Sequence, residues 1–203
     1  MKTRQLDSEL MVRLANADTA ALAVIFERYW SQIVRYAVSL LKSQDEAEDI
    51  AQETFERLWE RRDAWRVEGK VQPLLLKIAR NLCIDALRRR TTGDRAVLNA
   101  DLPAAVPTPS MVCEEEELGT IVTRAVLALP EQRREVLILS RVHGLSRQEI
   151  AEIMDLAPRT VANHLRLALA DLRRLLNPYI REHDQRRGNS GPATGPNVSA
   201  TGI

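Results

Sequence analysis

Leu22, Ile25, Phe26, Tyr29, Trp30, Ile33, Val34, Ala37, Val38 and Leu41 return at steps of three and four residues. An α-helix turns once in about 3.6 residues, so this spacing gathers them on one broad apolar face that must be buried against other helices. A second helix starts at Ser43, whose spacing to Glu46 is that of a capping box, with Asp45, Glu46 and Asp49 near its positive end. It continues through Ile50, Phe55 and Leu58 to about Arg62. A third begins near Pro73, tolerated in a first turn, and runs to Arg90. Helices of this kind predict an all-α fold.

The stretch from Thr91 to Leu118 interrupts the pattern. It holds Pro103, Pro107 and Pro109, then the run Glu114-Glu115-Glu116-Glu117. Closely spaced prolines remove backbone donors and break helices, and a connector this long is not an ordinary loop. The chain therefore divides into a helix bundle over 1–90, a flexible acidic linker over 91–117, a second helical domain over 118–182, and a disordered tail over 183–203 rich in Gly and Pro. In the second domain one helix covers roughly Leu118 to Leu129. Pro130 opens another, stopped by Gly144. Ser146 and Glu149 repeat the capping-box spacing for a short helix to about Met154. After the turn Asp155-Leu156-Ala157, Pro158 opens a long helix reaching about Leu176. Short helix, three-residue turn, second helix is helix-turn-helix spacing.

Composition narrows the function classes. No run of about 18 apolar residues is present, so no membrane insertion is expected. The N-terminus lacks the apolar core of a signal peptide, and Cys83 and Cys113 form no CxxC pair, so a cytoplasmic location follows. There is no GxxxxGK, GxGxxG, HExxH or GxSxG, and His143, His164 and His183 stand apart. No enzyme activity, catalytic residue, cofactor or metal is expected. Residues 1–90 carry sixteen Lys/Arg against fourteen Asp/Glu, 91–118 one against six, and 119–187 twelve against eight. Two mildly basic blocks flanking an acidic connector suggest a polyanionic partner.

Three surfaces carry candidate chemistry. On the last helix Val161, Leu165, Ala168, Leu172 and Leu176 fall on one side, and Arg159, Asn163, Arg166 and Arg173 form a stripe opposite. Arg grips guanine edges bidentately, Asn pairs with adenine, and a helix behind a tight turn suits the major groove. On the Ser43 helix Asp45, Asp49, Gln52, Glu53, Glu56 and Glu60 share a face. Like charges at that spacing cost about 0.2–0.5 kcal/mol per pair, which suits a docking face for a basic protein and is equally compatible with a solvated face. Before the third helix, Trp65-Arg66-Val67-Glu68-Gly69-Lys70 mixes an aromatic with cations. That composition holds an unstacked base over a phosphate backbone, although an indole here can also simply pack on the bundle. Lys77, Asn81, Asp85 and Arg88 line one side of the third helix itself.

These pieces, in this order, resemble the extracytoplasmic function (ECF) group of bacterial RNA polymerase sigma factors, within the sigma-70 family. Asp45-Glu46-Ala47-Glu48-Asp49-Ile50-Ala51-Gln52-Glu53-Thr54-Phe55 looks like the core-polymerase-binding helix, and Leu76-Lys77-Ile78-Ala79-Arg80-Asn81-Leu82-Cys83-Ile84-Asp85-Ala86-Leu87-Arg88 like the −10-element helix. Leu129-Pro130-Glu131-Gln132-Arg133-Arg134-Glu135-Val136 and Leu145-Ser146-Arg147-Gln148-Glu149-Ile150-Ala151-Glu152 are similar to the start of the −35-binding domain. The resemblance implies a promoter-specificity subunit with core RNA polymerase, promoter DNA and an anti-sigma factor as partners. It implies core-polymerase contacts at Asp49, Gln52, Glu53 and Phe55. It implies −10 contacts at Trp65, Arg66, Lys70, Asn81 and Arg88, and −35 contacts at Arg159, Thr160, Asn163 and Arg166. It makes the first domain sigma region 2 and the second region 4, with the acidic linker lying in a polymerase channel. Family members often carry Gly in the helix-turn-helix turn and Ser at the recognition-helix N-cap; here those places hold Asp155 and Ala157. Asp tolerates the left-handed conformation such a turn needs.

Two alternatives stay open on sequence alone. One is a sigma-like decoy that binds an anti-sigma factor without engaging promoters. The other is a stand-alone helix-turn-helix regulator, since Arg159-Thr160-Val161-Ala162-Asn163-His164-Leu165 also looks like a LuxR-type recognition helix.

Overall fold

The computed structural model describes the backbone of residues 2–65, 70–93 and 114–188, with side chains over 7–65, 70–91 and 119–179. Arg66, most of the linker and the tail beyond 188 lie outside the described residues. Eight α-helices and one 3-10 turn make up the secondary structure of the described residues, which include no strand.

Helix α1 (Lys2–Ala15) was not expected from the sequence. Its Leu10, Met11 and Leu14 are buried against the bundle, and it ends where Ala17 takes a positive φ of 59°. Asp18 then caps α2 (Thr19–Leu41), its Oδ1 accepting from the Ala20 amide at 2.9 Å. The long apolar stripe lies on α2 as the periodicity requires, with Ile25, Ile33 and Ala37 fully buried. Phe26 departs from it and is 40% exposed.

Ser43 caps α3 (Gln44–Glu60), its hydroxyl accepting from the Glu46 amide. After a 3-10 turn at Arg62–Ala64, α4 (Val71–Gly93) begins two residues ahead of Pro73, so that Pro73 sits within the first turn, where its missing N–H has no intrahelical partner to lose. Val71, Leu75, Leu76, Ala79, Leu82 and Cys83 are all buried, making α4 the central helix of the bundle.

The second block holds α5 (Glu114–Leu127), α6 (Glu131–Arg141), α7 (Arg147–Met154) and α8 (Pro158–Gly188). At the start of α7 the capping box closes in both directions: the Glu149 amide donates to Ser146 Oγ, and the Ser146 amide donates to Glu149 Oε2. Asp155 takes φ 53° and ψ 46°, the left-handed conformation the turn needs. Helix α8 runs past the expected end near Leu176 and through Pro178 to Gly188.

The two blocks share one core. Val136, Leu139, Ile150, Ile153, Met154 and Val161 belong to the same buried cluster as α1 to α4. A smaller cluster of Leu129, Leu137 and Ala168 holds α5, α6 and α8 together. Each fully buried Leu or Ile contributes about 1.5–3 kcal/mol, so this shared core is a substantial part of what holds the blocks in register.

Candidate nucleic-acid interface

On α8, Arg159, Asn163 and Arg166 are exposed, while Val161 and Ala168 on the opposite side are fully buried. Arg166 Nη2 donates to Asn163 Oδ1 at 3.0 Å, so the two side chains point the same way one turn apart. Thr160 is half-buried beside them. The helix is fixed from behind by Arg133 Nη1 donating to Asp171 at 2.6 Å. His164 is half-buried off the stripe, with a buried Nδ1 that has no protein partner. Three adjacent, outward polar side chains on a helix braced from behind can reach base edges without distorting the domain.

The polar side of α4 presents Asn81 and Arg88 to solvent. Trp65, expected there as a base-stacking residue, is half-buried; its ring packs on the core and its Nε1 donates to the Leu58 carbonyl at 3.0 Å. Lys70 and Lys77 are both engaged: Lys70 Nζ donates to Glu149 Oε1 at 2.6 Å, and Lys77 lies 3.6 Å from Asp155.

The acidic face of α3 is outward. Asp49 and Gln52 are exposed, and Glu53 is partly so. Gln52 Nε2 donates to Glu56 at 2.8 Å, and Arg57 Nη2 donates to Glu53 at 2.7 Å. The like-charge cost along this face is thus partly relieved within the helix. At the near end Arg90 pairs with Glu46, tying the end of α4 to α3. Phe55 is not on that surface: it is 4% exposed, with its ring centroid 4.9 Å from Phe26 and 6.1 Å from Trp30. Phe26 and Trp30 stack at 4.7 Å and form the accessible part of this aromatic group.

Sequence reasoning missed the polar contacts between the blocks. Glu135 on α6 is buried and accepts from Tyr36 Oη at 2.7 Å and from Arg80 Nε at 2.8 Å. Burial, reinforced by the Glu135 carboxylate, pushes the Tyr36 phenol well above its usual range. Gln72 Nε2 donates to the His143 carbonyl at 3.1 Å, and the His143 ring meets Tyr36 edge-on at 5.7 Å. Burial, with the charge of Arg35 added, lowers the His143 pKa to about 4. Burial raises the Cys83 thiol to about 12, so this cysteine is a small core hydrophobe. None of these residues lay within sequence reach of its partner; Tyr36 and Glu135 are 99 positions apart.

Among the described residues, no group of three or more His, Cys, Asp or Glu could hold a metal ion, and no helix is long and apolar enough to cross a membrane.

Comparison with known proteins gives a consistent assignment. The family model "Sigma-70 region 2" matches residues 25–92, and "Sigma-70, region 4" matches 120–172. The ECF RNA polymerase sigma factor SigW of Bacillus subtilis is 27% identical over 183 residues, covering 83% of this chain and 98% of that protein. The RNA polymerase sigma-H factor of Pseudomonas aeruginosa is 26% identical over 192 residues, covering 90% of this chain and all of that protein. Among solved structures, CnrH in complex with the cytosolic domain of CnrY shares the fold at TM-score 0.64 and 22% identity, over 85% of this chain and 98% of that one. RpoE of Bartonella quintana, solved with the anti-sigma factor NepR, gives 0.61 and 23%, over 75% and 94%.

Proposed function

The chain belongs to the ECF group of the sigma-70 family, and from that premise we propose a residue-level account of how it works as an RNA polymerase sigma factor. It binds core RNA polymerase and promoter DNA, and its part is recognition: it has no reaction of its own and acts in the cytoplasm. The exposed carboxylates of α3, Asp49 and Glu53, with Gln52 between them, dock a basic helical surface of the polymerase, and Phe55 supports that face from beneath through Phe26 and Trp30. Asn81 and Arg88 of α4, with Lys70, Arg66 and the edge of Trp65, take the −10 strand. Arg159, Thr160, Asn163 and Arg166 read the −35 duplex.

The observation that carries this reading is the cluster of outward Arg159, Asn163 and Arg166 on a helix set by the left-handed Asp155 behind a fully closed capping box. A decoy has no need of an intact recognition helix. An anti-sigma factor is the natural antagonist, since RpoE of Bartonella quintana, which shares this fold, was solved bound to one.

The docking claim is tested by Asp49→Arg combined with Glu53→Arg. Both side chains are at least partly exposed, so the helical circular dichroism and thermal midpoint should stay at wild-type values while co-purification with core polymerase is lost. Undiminished affinity for core in the doubly reversed variant removes α3 as the docking face.

A further inference from the structure

Three acidic residues of the second block lie against three cations of the first. Glu149 holds Lys70, Asp155 lies beside Lys77, and Glu135 accepts from Arg80. Lys77 lies on the side of α4 that also carries Asn81 and Arg88, Arg80 borders that side, and Lys70 immediately precedes the helix; these three are the cations of the α4 face. The contacts differ in depth. Lys77 and Asp155 are both well exposed, whereas the Arg80 and Glu135 side chains are 16% and 6% exposed. Around them Ile150, Ile153 and Met154 are buried in the core that α4 shares. Meanwhile Arg159, Asn163 and Arg166 remain outside the contact.

We propose that the free chain is self-inhibited by this clasp: carboxylates of α6, α7 and the helix-turn-helix turn occupy the α4 cations where the phosphates of the −10 strand would lie, and leave the −35 helix open. This rests on the assignment of α4 as the −10 face. A single strand held by this face is attracted mainly through its phosphates, so cations neutralised within the protein contribute little to capturing it. The buried Arg80–Glu135 pair adds register more than net stability, because desolvating two charges offsets much of their attraction. Opening frees the α4 cations at the cost of the shared apolar contacts. The apparent affinity for a single strand is then the intrinsic affinity scaled by the open fraction. Affinity of α8 for duplex DNA carries no such factor.

Glu135→Lys tests the clasp, since both partners of Glu135 lie across the seam and the new ammonium would face Arg80. Glu152→Lys, at an exposed position on α7, makes the same charge change without touching the seam. The charge swap Arg80→Glu with Glu135→Lys restores the net charge and the pairing. Each full-length protein is measured by small-angle X-ray scattering and by anisotropy of a fluorescein-labelled single-stranded oligonucleotide of mixed sequence, with circular dichroism confirming retained helix. Glu135→Lys should enlarge the radius of gyration and bind the strand at least about tenfold tighter than Glu152→Lys, as for a chain open less than about a tenth of the time. The swap should return both readouts toward wild type. An unchanged radius in Glu135→Lys overturns the clasp. An enlarged radius with no gain over Glu152→Lys also overturns the proposal, and places the fault in the −10 assignment of α4. Loss of helix in Glu135→Lys moves the test to Glu149→Gln with Asp155→Asn, which releases Lys70 and Lys77 without removing either cation; an unchanged radius and strand affinity overturn it equally.

Discussion

Arg80 Nε donates to Glu135 Oε1 at 2.8 Å, and the Tyr36 hydroxyl donates to the same oxygen at 2.7 Å, so one buried carboxylate joins α2, α4 and α6. Removing one member of such a group strands a charge, at a cost of about 3–5 kcal/mol, whereas replacing both charges with apolar groups of similar volume is close to neutral. Arg80→Ala should therefore lower the unfolding free energy markedly, up to the limit set by opening the seam. Arg80→Met combined with Glu135→Leu should recover part of the loss, less the cost of leaving the buried Tyr36 hydroxyl without its acceptor. Urea unfolding of the single and double variants measures this directly, and a double variant no more stable than Arg80→Ala contradicts it.

The exposed stripe on α8 gives a prediction on DNA. If Arg166 reads a base, Arg166→Ala weakens binding to promoter duplex by about 1–3 kcal/mol and relaxes preference at one position; if it touches phosphate, the loss is smaller and uniform across sequences. Anisotropy titrations against the −35 duplex and single-base variants separate the two. Equal binding by wild type and Arg166→Ala contradicts both.

His143 ties the seam to pH. Burial, with Arg35 nearby, lowers its folded pKa from an ordinary 6.5 to about 4. The unfolded chain then binds more protons between those values, so stability that is complete above about 6.5 is lost as the pH falls toward 4. Glu149, whose pKa is lowered by its hydrogen bonds to Lys70 and Ser146 against the effect of burial, loses stability in the same direction. The His143 share is read as a difference: the urea midpoint of His143→Gln should fall less between pH 7 and pH 5 than that of wild type. Parallel pH slopes contradict this.

The capping box of α7 is a local test of the helix-turn-helix. Ser146→Ala removes the acceptor for the Glu149 amide and should cost about 1 kcal/mol of unfolding free energy. Ser146→Asp should retain most of the stability. A Ser146→Ala variant with an unshifted thermal midpoint contradicts the assigned role.

What was legible in the sequence was what local rules govern. Ser43 and Ser146 mark the starts of α3 and α7 because an N-cap hydroxyl acts within three residues. The left-handed turn at Asp155 followed from the family resemblance, whose members often carry Gly there, and from the tolerance of Asp for that conformation. Helix α1 was missed although Leu10, Met11 and Leu14 stand at helical spacing; what the sequence hid was its buried Asp7, held by Arg28 at 2.9 Å and the Tyr29 hydroxyl at 2.8 Å, partners 21 and 22 residues away. Glu135 was missed on identical grounds, since a carboxylate on an amphipathic helix ordinarily faces water. Phe55 counts among the polymerase contacts through the family resemblance alone; its spacing on α3 sets it away from the acidic face, where Phe26 and Trp30 pack over it. The stripe of Arg159, Asn163 and Arg166 lies where periodicity put it, because α8 packs with a single apolar side.

The central claim, that this chain directs RNA polymerase to promoters, is tested most directly by adding it to core RNA polymerase on a library of random-sequence DNA and sequencing the RNA starts. The account predicts new starts preceded by two elements at a fixed spacing, abolished by Asp49→Arg with Glu53→Arg and redistributed by Arg166→Ala. Starts no more numerous or better defined than with core polymerase alone would contradict it.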